Sequence, residues 1–243
     1  MIFLRSLVYF LFLVISTIFY SSAIVLIGWA LPYEKRCRIA NSWGMVNIAM
    51  LKLICRLDYN IVGLEKLQPN NCIVMSKHQS AWETISLRGL LPPAQAWVVK
   101  IELLSVPLFG WALKRCHPIA IDRSAGRKAV KQVLEQGIDA LNKGRWVVIF
   151  PEGTRVTPGK RKKYGIGGAL LAERSEYPVI PIAHNAGDFW RRRDLRKHPG
   201  IVEVVVGDPI SSKGKKASQI NREVESWIEA QMQKLQHGNR HQT

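Results

Sequence analysis

From Ser6 to Tyr33 the chain carries no charged side chain, and this run limits its fold more than any other feature. The 28 uncharged positions include Leu7, Val8, Phe10, Leu11, Leu13, Val14 and Ile24–Ile27. A helix of about 20 apolar residues crosses a bilayer core, so the run is long enough to span with tilt. A cleaved signal peptide would offer Ser21-Ser22-Ala23 as its small-residue cleavage site. The apolar run continues past that point, however, and only Arg5 precedes it, so the segment reads as an uncleaved anchor. Lys35, Arg36 and Arg38 follow directly, a bias that sets the C-terminal side in the cytoplasm, at the inner (cytoplasmic) membrane. A second apolar stretch, Trp43–Leu57, is broken by Asn47, Lys52 and Arg56 and reads as an interfacial partner of the first. Residues 1–57 are therefore expected to form membrane-anchoring helices, and residues 58–243 a folded domain. Whether the first helix spans the membrane or dips into it is open at this level.

The balance of the chain narrows its class. Of 243 residues 47% are hydrophobic, enough to bury a core and to exclude dominant disorder. Cys37, Cys55, Cys72 and Cys116 make no disulfide framework and no metal-ligand spacing, and unpaired thiols agree with a reducing compartment. Lys and Arg total 35 against 18 Asp and Glu, a formal +17. Two basic runs stand out, Lys160–Lys163 and Arg191–Arg193 continuing to Arg196-Lys197. They read either as solvated surface or as attraction to anionic headgroups or an acidic partner. Nucleic acid is not an expected partner, since the chain has no helix-turn-helix, zinc-finger or ribonucleoprotein pattern.

Beyond the anchor, apolar runs alternate with helical patterns. Strands are expected at Tyr59–Val62, Cys72–Ser76, Ala96–Lys100, Pro118–Ile121, Trp146–Phe150, Val179–Ala183 and Ile201–Val206. Ser124–Asn142 and Ala217–Leu235 repeat apolar residues mostly at three and four, as helices do. The order predicts an α/β domain with a mainly parallel sheet flanked by helices.

Three clusters of residues can carry chemistry. Lys77-His78-Gln79-Ser80-Ala81-Trp82-Glu83 follows an expected strand, and His is the side chain suited to moving a proton at neutral pH. Five positions on one ideal helix turn about 140°, so His78 and Glu83 pair only if His78 stays in the loop and Glu83 enters the first helical turn. Glu83 is equally explained as the acid of a capping box on Ser80. Phe150-Pro151-Glu152-Gly153-Thr154-Arg155 turns at the end of the clearest strand, where open α/β sheets bind ligands, and Arg155 offers a fork suited to phosphate. Lys100, Glu102, Pro107 and Gly110 lead to Ile121-Asp122-Arg123. Lys100 closes a strand at the same edge, while Asp122 and Arg123 are otherwise a local ion pair.

In this order and spacing the three clusters resemble the glycerolipid acyltransferase family, most closely its bacterial members that acylate 1-acyl-sn-glycerol-3-phosphate. That family's first block is a His and an acid with four residues between them, and its third reads F-P-E-G-T-R, present here at Phe150–Arg155. Its second block is matched by Lys100, Glu102, Pro107, Gly110 and Ile121–Arg123, and its fourth by Val179–Ile182. The resemblance covers about residues 40–210. Two positions depart from the pattern: Lys77 stands where Asn is usual, and Glu83 where Asp is usual.

The resemblance implies acyl transfer from a thioester, acyl-CoA or acyl carrier protein, to the sn-2 hydroxyl of lysophosphatidate, giving phosphatidate. It implies His78 as general base with Glu83 orienting it. It implies Arg155 on the acceptor phosphate, helped by Lys100 and Arg123; Glu152 either braces the loop or touches the acceptor, Gly153 lets the backbone come close, and with Thr154 they complete the substrate-binding set. No metal and no cofactor are expected. The apolar stretch Ile101–Leu113 either lines an acyl path or packs in the core. Another lysolipid acceptor, an inactive lipid-binding homologue and a basic membrane-tethered scaffold are the competing readings.

Overall fold

The computed structural model describes residues 1–67 and 71–239. Seven strands form one sheet: β1 Leu57–Val62, β2 Ile73–Ser76, β3 Gln95–Lys100, β4 Ile119–Ile121, β5 Trp146–Ile149, β6 Val179–His184 and β7 Gly200–Val206. Their order is β1-β7-β6-β2-β5-β3-β4. Every pairing is parallel except β6 with β7, where Ile182 faces Val206. The expected strands all form, with ends displaced by a residue or two, and the mainly parallel sheet is as expected.

The central strands are apolar on both sides because both sides are covered. Ile73 and Met75 of β2 and Val147 and Ile149 of β5 enter one core with α5 (Arg127–Asn142), α6 (Gly167–Ser175) and α8 (Ala217–Asn239). The alternate residues Val74, Trp146, Val148 and Ile180 enter a second core with α2 (Tyr33–Cys55) and α3 (Trp82–Leu90). Period-two alternation thus sends successive side chains of one strand into different cores. On α5 the buried residues are Ala129, Val133, Gly137, Ala140 and Leu141, with Leu134 and Ile138 only half-buried beside them. Small residues take the centre there because a Cβ on Gly137 would lie 2.6 Å from Leu171.

The N-terminal helix α1 (Ile2–Ile27) folds back against α2, and α2 sits on α3 at a backbone-to-backbone contact. A Cβ on Gly44 would come within 2.6 Å of the Gly89 nitrogen and 2.7 Å of the Ile85 carbonyl, so only glycine permits this approach. Both ends of α1 are tied to the domain. Lys197 N–H donates to Ser6 Oγ at 2.8 Å, and the Lys197 ammonium lies 4.6 Å from the Trp190 ring and 5.4 Å from Tyr9. At the far end Ile24 packs with Ala112 and Cys116, beside α4 (Phe109–Arg115). The faces of α1 are inverted relative to a helix of a soluble protein. Ser6, Tyr9, Ser16 and Ser21 face the protein, whereas Leu4, Val8, Leu11, Ile15, Phe19 and Leu26 are exposed.

Candidate active site

Four loops meet at the C-terminal ends of β2, β5, β3 and β4, and between them they carry the three clusters singled out in the sequence, the third split over the loops after β3 and β4. The ladder of β2 with β6 runs one residue past the strand, where Lys77 N–H donates to the Ile182 carbonyl at 2.9 Å. His78 then leaves the sheet. Its amide donates to Glu152 Oε2 at 2.8 Å, and its carbonyl accepts from Val156 N–H at 2.8 Å. The loop after β5 therefore fixes the backbone of the loop after β2.

His78 Nδ1 lies 2.8 Å from Glu83 Oε1. The same oxygen accepts the Gln79 N–H at 2.8 Å and the Ser80 N–H at 2.7 Å. The capping reading and the histidine reading of Glu83 are thus both right, and one oxygen serves both. The geometry is the one the 140° argument required, with His78 in the loop and Glu83 in the first turn of α3. Ser80 Oγ completes the helix start, accepting Trp82 N–H at 3.2 Å and donating to the Trp190 carbonyl at 2.6 Å. An ionised carboxylate only accepts, so Nδ1 carries the proton and Nε2 is left with its lone pair. The imidazole stacks on Phe150 at 4.0 Å between centroids, with planes 13° apart.

Glu83 has no exposed surface. Burial pushes its carboxyl up, but the flanking imidazoles of His184 and His78 and the Ser80 N–H outweigh that and hold it below the ordinary carboxylate value. His184, also fully buried, stands 3.9 Å from Glu83 Oε2. Its Nε2 donates to the Lys77 carbonyl at 2.8 Å, and its Nδ1 accepts from Ala186 N–H at 3.3 Å. Burial pushes this imidazole below its ordinary value, which agrees with a neutral ring bonded at both nitrogens.

His78 opens onto a cavity of about 610 Å³. Its walls come from both sides of residue 57: Thr17, Tyr20, Ser21 and Ile24 of α1, Ala40 and Trp43 of α2, and Leu103, Phe109, Ala112 and Leu113 of the apolar stretch after β3. Part of its lining is cationic: Arg155, Lys100 and Arg123 line it together with Thr154. Arg123 Nη1 donates to the Gly153 carbonyl, and Lys100 is exposed with a loose pair to Glu102 at 3.8 Å.

Two residues of the expected binding set lie off the cavity, Glu152 as a brace of the loop. Glu152 is buried beneath the loop and does not line the cavity, because its carboxylate is spent on the His78 amide and the Lys77 ammonium. Burial pushes its carboxyl up against the opposing pull of Lys77. Gly153 shapes the turn instead of lining the cavity: its φ is +67°, which favours glycine, and its N–H donates to the Phe150 carbonyl at 3.0 Å. Sequence reasoning also misses two cavity cations, Arg192 and Arg193, and the buried His184. The arginine run is visible in the chain, but its placement is not. Its approach depends on α7 (Ala186–Phe189), a single turn too short to give a periodic signal, and Arg192 Nη1 reaches the Arg155 carbonyl at 3.1 Å.

A model of the Acyltransferase family matches residues 58–185. A 1-acyl-sn-glycerol-3-phosphate acyltransferase of Pseudomonas aeruginosa is 38% identical over 236 residues, covering 96% of this chain and 91% of that protein. One of Cocos nucifera, with the same name, is 28% identical over 89% of this chain and 70% of its own. The crystal structure of the 1-acyl-sn-glycerophosphate acyltransferase from Thermotoga maritima superposes with a TM-score of 0.80 at 21% identity, over 96% of this chain and 95% of that one, a likeness of fold.

Proposed function

The chain belongs to the acyltransferase family, and on that premise we propose that it moves a fatty acyl group from a thioester to the sn-2 hydroxyl of 1-acyl-glycerol-3-phosphate, forming phosphatidate. The observation that carries this reading is that His78, paired with buried Glu83 at 2.8 Å, lines a cavity that Arg155 also lines. His78 Nε2 takes the acceptor proton as the hydroxyl oxygen attacks the thioester carbonyl carbon. Glu83 holds Nδ1–H and balances the imidazolium that forms. As the tetrahedral intermediate collapses, the carbon–sulfur bond breaks and the thiolate recovers the proton from His78. Donor and acceptor together supply every atom of the products, so the step balances without a cofactor, and direct attack by the hydroxyl passes through no acyl-enzyme.

Arg155 holds the acceptor phosphate through its planar fork, with Arg192 bracing its backbone. Lys100, Arg123 and Arg193 supply further positive charge suited to the phosphates of acyl-CoA or to the acidic surface of acyl carrier protein. The acyl chain lies along the α1–α2–α4 wall. The ties of α1 to the domain at Ser6 and at Ile24 support a helix that lies along the membrane beside the catalytic domain. Its outward apolar face sits in one leaflet, so the lipid hydroxyl meets His78 without leaving the membrane. Lys35, Arg36 and Arg38, directly after α1, suit the anionic headgroups of the cytoplasmic leaflet of the inner membrane.

The test is formation of labelled phosphatidate from lysophosphatidate by membranes carrying the chain, wild type beside His78→Ala, each with acyl-CoA and with acyl carrier protein donors. Product from wild type alone is expected. Equal turnover in both would remove His78 from the mechanism. Silence with every donor would refute lysophosphatidate as the acceptor and send the search to other lysolipids.

A further inference from the structure

Lys77 precedes the proposed base, is 1% exposed and does not line the cavity. Its side chain turns toward the far side of the loop after β5. Its Nζ lies 2.7 Å from Glu152 Oε1 and 2.7 Å from Glu229 Oε1. Glu229 belongs to α8 and is itself held: Tyr164 O–H donates to it at 3.1 Å, and Arg161 Nε lies 3.3 Å from its other oxygen. The Lys77 carbonyl is fixed independently by His184. The second oxygen of Glu152 accepts the His78 amide at 2.8 Å.

A continuous line of contacts therefore runs from α8 through Glu229, Lys77 and Glu152 to the backbone of His78. That amide is the first one past the β2 ladder, so it is held not by the sheet but by Glu152 on its N–H and by His184 on the carbonyl of the same peptide plane. A buried ion pair is a weak device for stability, because apolar replacements of similar volume are often as stable. What it supplies here is direction, since Glu152 can meet the His78 amide only if its other oxygen is held. From this line of contacts we infer that Lys77 is a positioning residue for the transfer step and that α8, outside the segment 58–185 matched by the family, is part of the catalytic apparatus through Glu229.

The inference rests on the functional reading above, and its test keeps the two apart. kcat and both KM values are measured with lysophosphatidate for wild type, Lys77→Met, Glu229→Gln and the double variant Lys77→Met/Glu152→Gln, alongside hydrogen exchange at the His78 amide. A shift of the order of 1 Å in a catalytic group lowers turnover roughly 100-fold, so Lys77→Met is expected to lose about that factor in kcat with both KM values nearly unchanged. In the double variant the Glu152→Gln side chain still offers a carbonyl to the His78 amide and carries no charge that needs Lys77. That variant should therefore recover about tenfold over Lys77→Met, and Glu229→Gln should fall between it and wild type. Protection of the His78 amide should drop in Lys77→Met and return in the double variant.

The inference is overturned if the double variant is no better than Lys77→Met, or if kcat per folded Lys77→Met enzyme equals wild type. Unchanged kcat in Glu229→Gln would remove α8 from the apparatus even if Lys77→Met failed to fold. Wild type silent toward lysophosphatidate would refute the functional reading instead. Exchange at His78 would then still decide the Lys77 tie, and unchanged protection in Lys77→Met would overturn it.

Discussion

Glu83→Gln isolates what the carboxylate contributes as a charge. An amide oxygen in place of Oε1 can still accept from His78 Nδ1, Gln79 N–H and Ser80 N–H, so the loop keeps its shape. What disappears is the negative charge 2.8 Å from an imidazole that becomes cationic in the transition state. At that separation two full charges interact by about 6 kcal/mol with an effective dielectric near 20. With about half the proton transferred the loss is about 3 kcal/mol, or roughly 100-fold in kcat. Both KM values should stay within about twofold, because Glu83 has no exposed surface and touches neither substrate. The assay is the initial rate of labelled phosphatidate against each substrate, with thermal unfolding measured in parallel. Glu83→Ala is the contrast: it leaves three donors without their acceptor, at about 1–3 kcal/mol each, and should lower Tm markedly where Glu83→Gln does not. If Glu83→Gln kept kcat within about threefold of wild type, the electrostatic account of Glu83 would be wrong and its capping bonds would be its whole contribution.

Three further expectations follow from the same geometry. Arg155→Lys keeps the charge but loses the fork; one charged hydrogen bond, about 1.5 kcal/mol, should raise the lysophosphatidate KM about tenfold, and a fall in kcat alone would contradict the assignment. His184 is buried and its imidazole is pushed below the ordinary value of 6.5, so the unfolded chain binds the proton first as pH falls. Stability should therefore drop as pH falls from 6.5 toward the folded value, by at most about 1.4 kcal/mol per pH unit, and be flat in this respect above about pH 7. His184→Gln should flatten that part of the Tm–pH curve; identical curves would mean that burial does not displace the titration of His184 on folding. Gly44→Val would thrust side-chain carbons into the Gly89 backbone and part α2 from α3, costing about 3 kcal/mol or more. Because α2 carries Ala40 and Trp43 in the cavity wall, the donor KM should rise together with the fall in Tm.

Much of this is written in the chain. Trp146–Ile149 reads as a strand because it is buried on both faces and so apolar without a break, and Pro151 follows where the turn begins. The reactive loops are legible for the same reason: each follows a recognisable strand, and parallel strands bring their C-terminal ends to one edge. Glu83 stays between two readings at that level because sequence spacing fixes neither where the helix starts nor how many donors one oxygen can serve. The tertiary structure decided which distant residues join that edge. Sheet order sets β2 between β5 and β6, so His78 meets Glu152 from 74 positions away and Lys77 meets Glu229 from 152. It turned Arg192 from a charge in a basic run into a cavity wall, and set Glu152 beneath the loop on the His78 amide. It also gave α1 two faces that composition alone cannot separate, serines inward and leucines outward. Periodicity and turn residues act over a few positions and are carried by the sequence itself, whereas the environment of a side chain depends on contacts that exist only once the strands have taken their order.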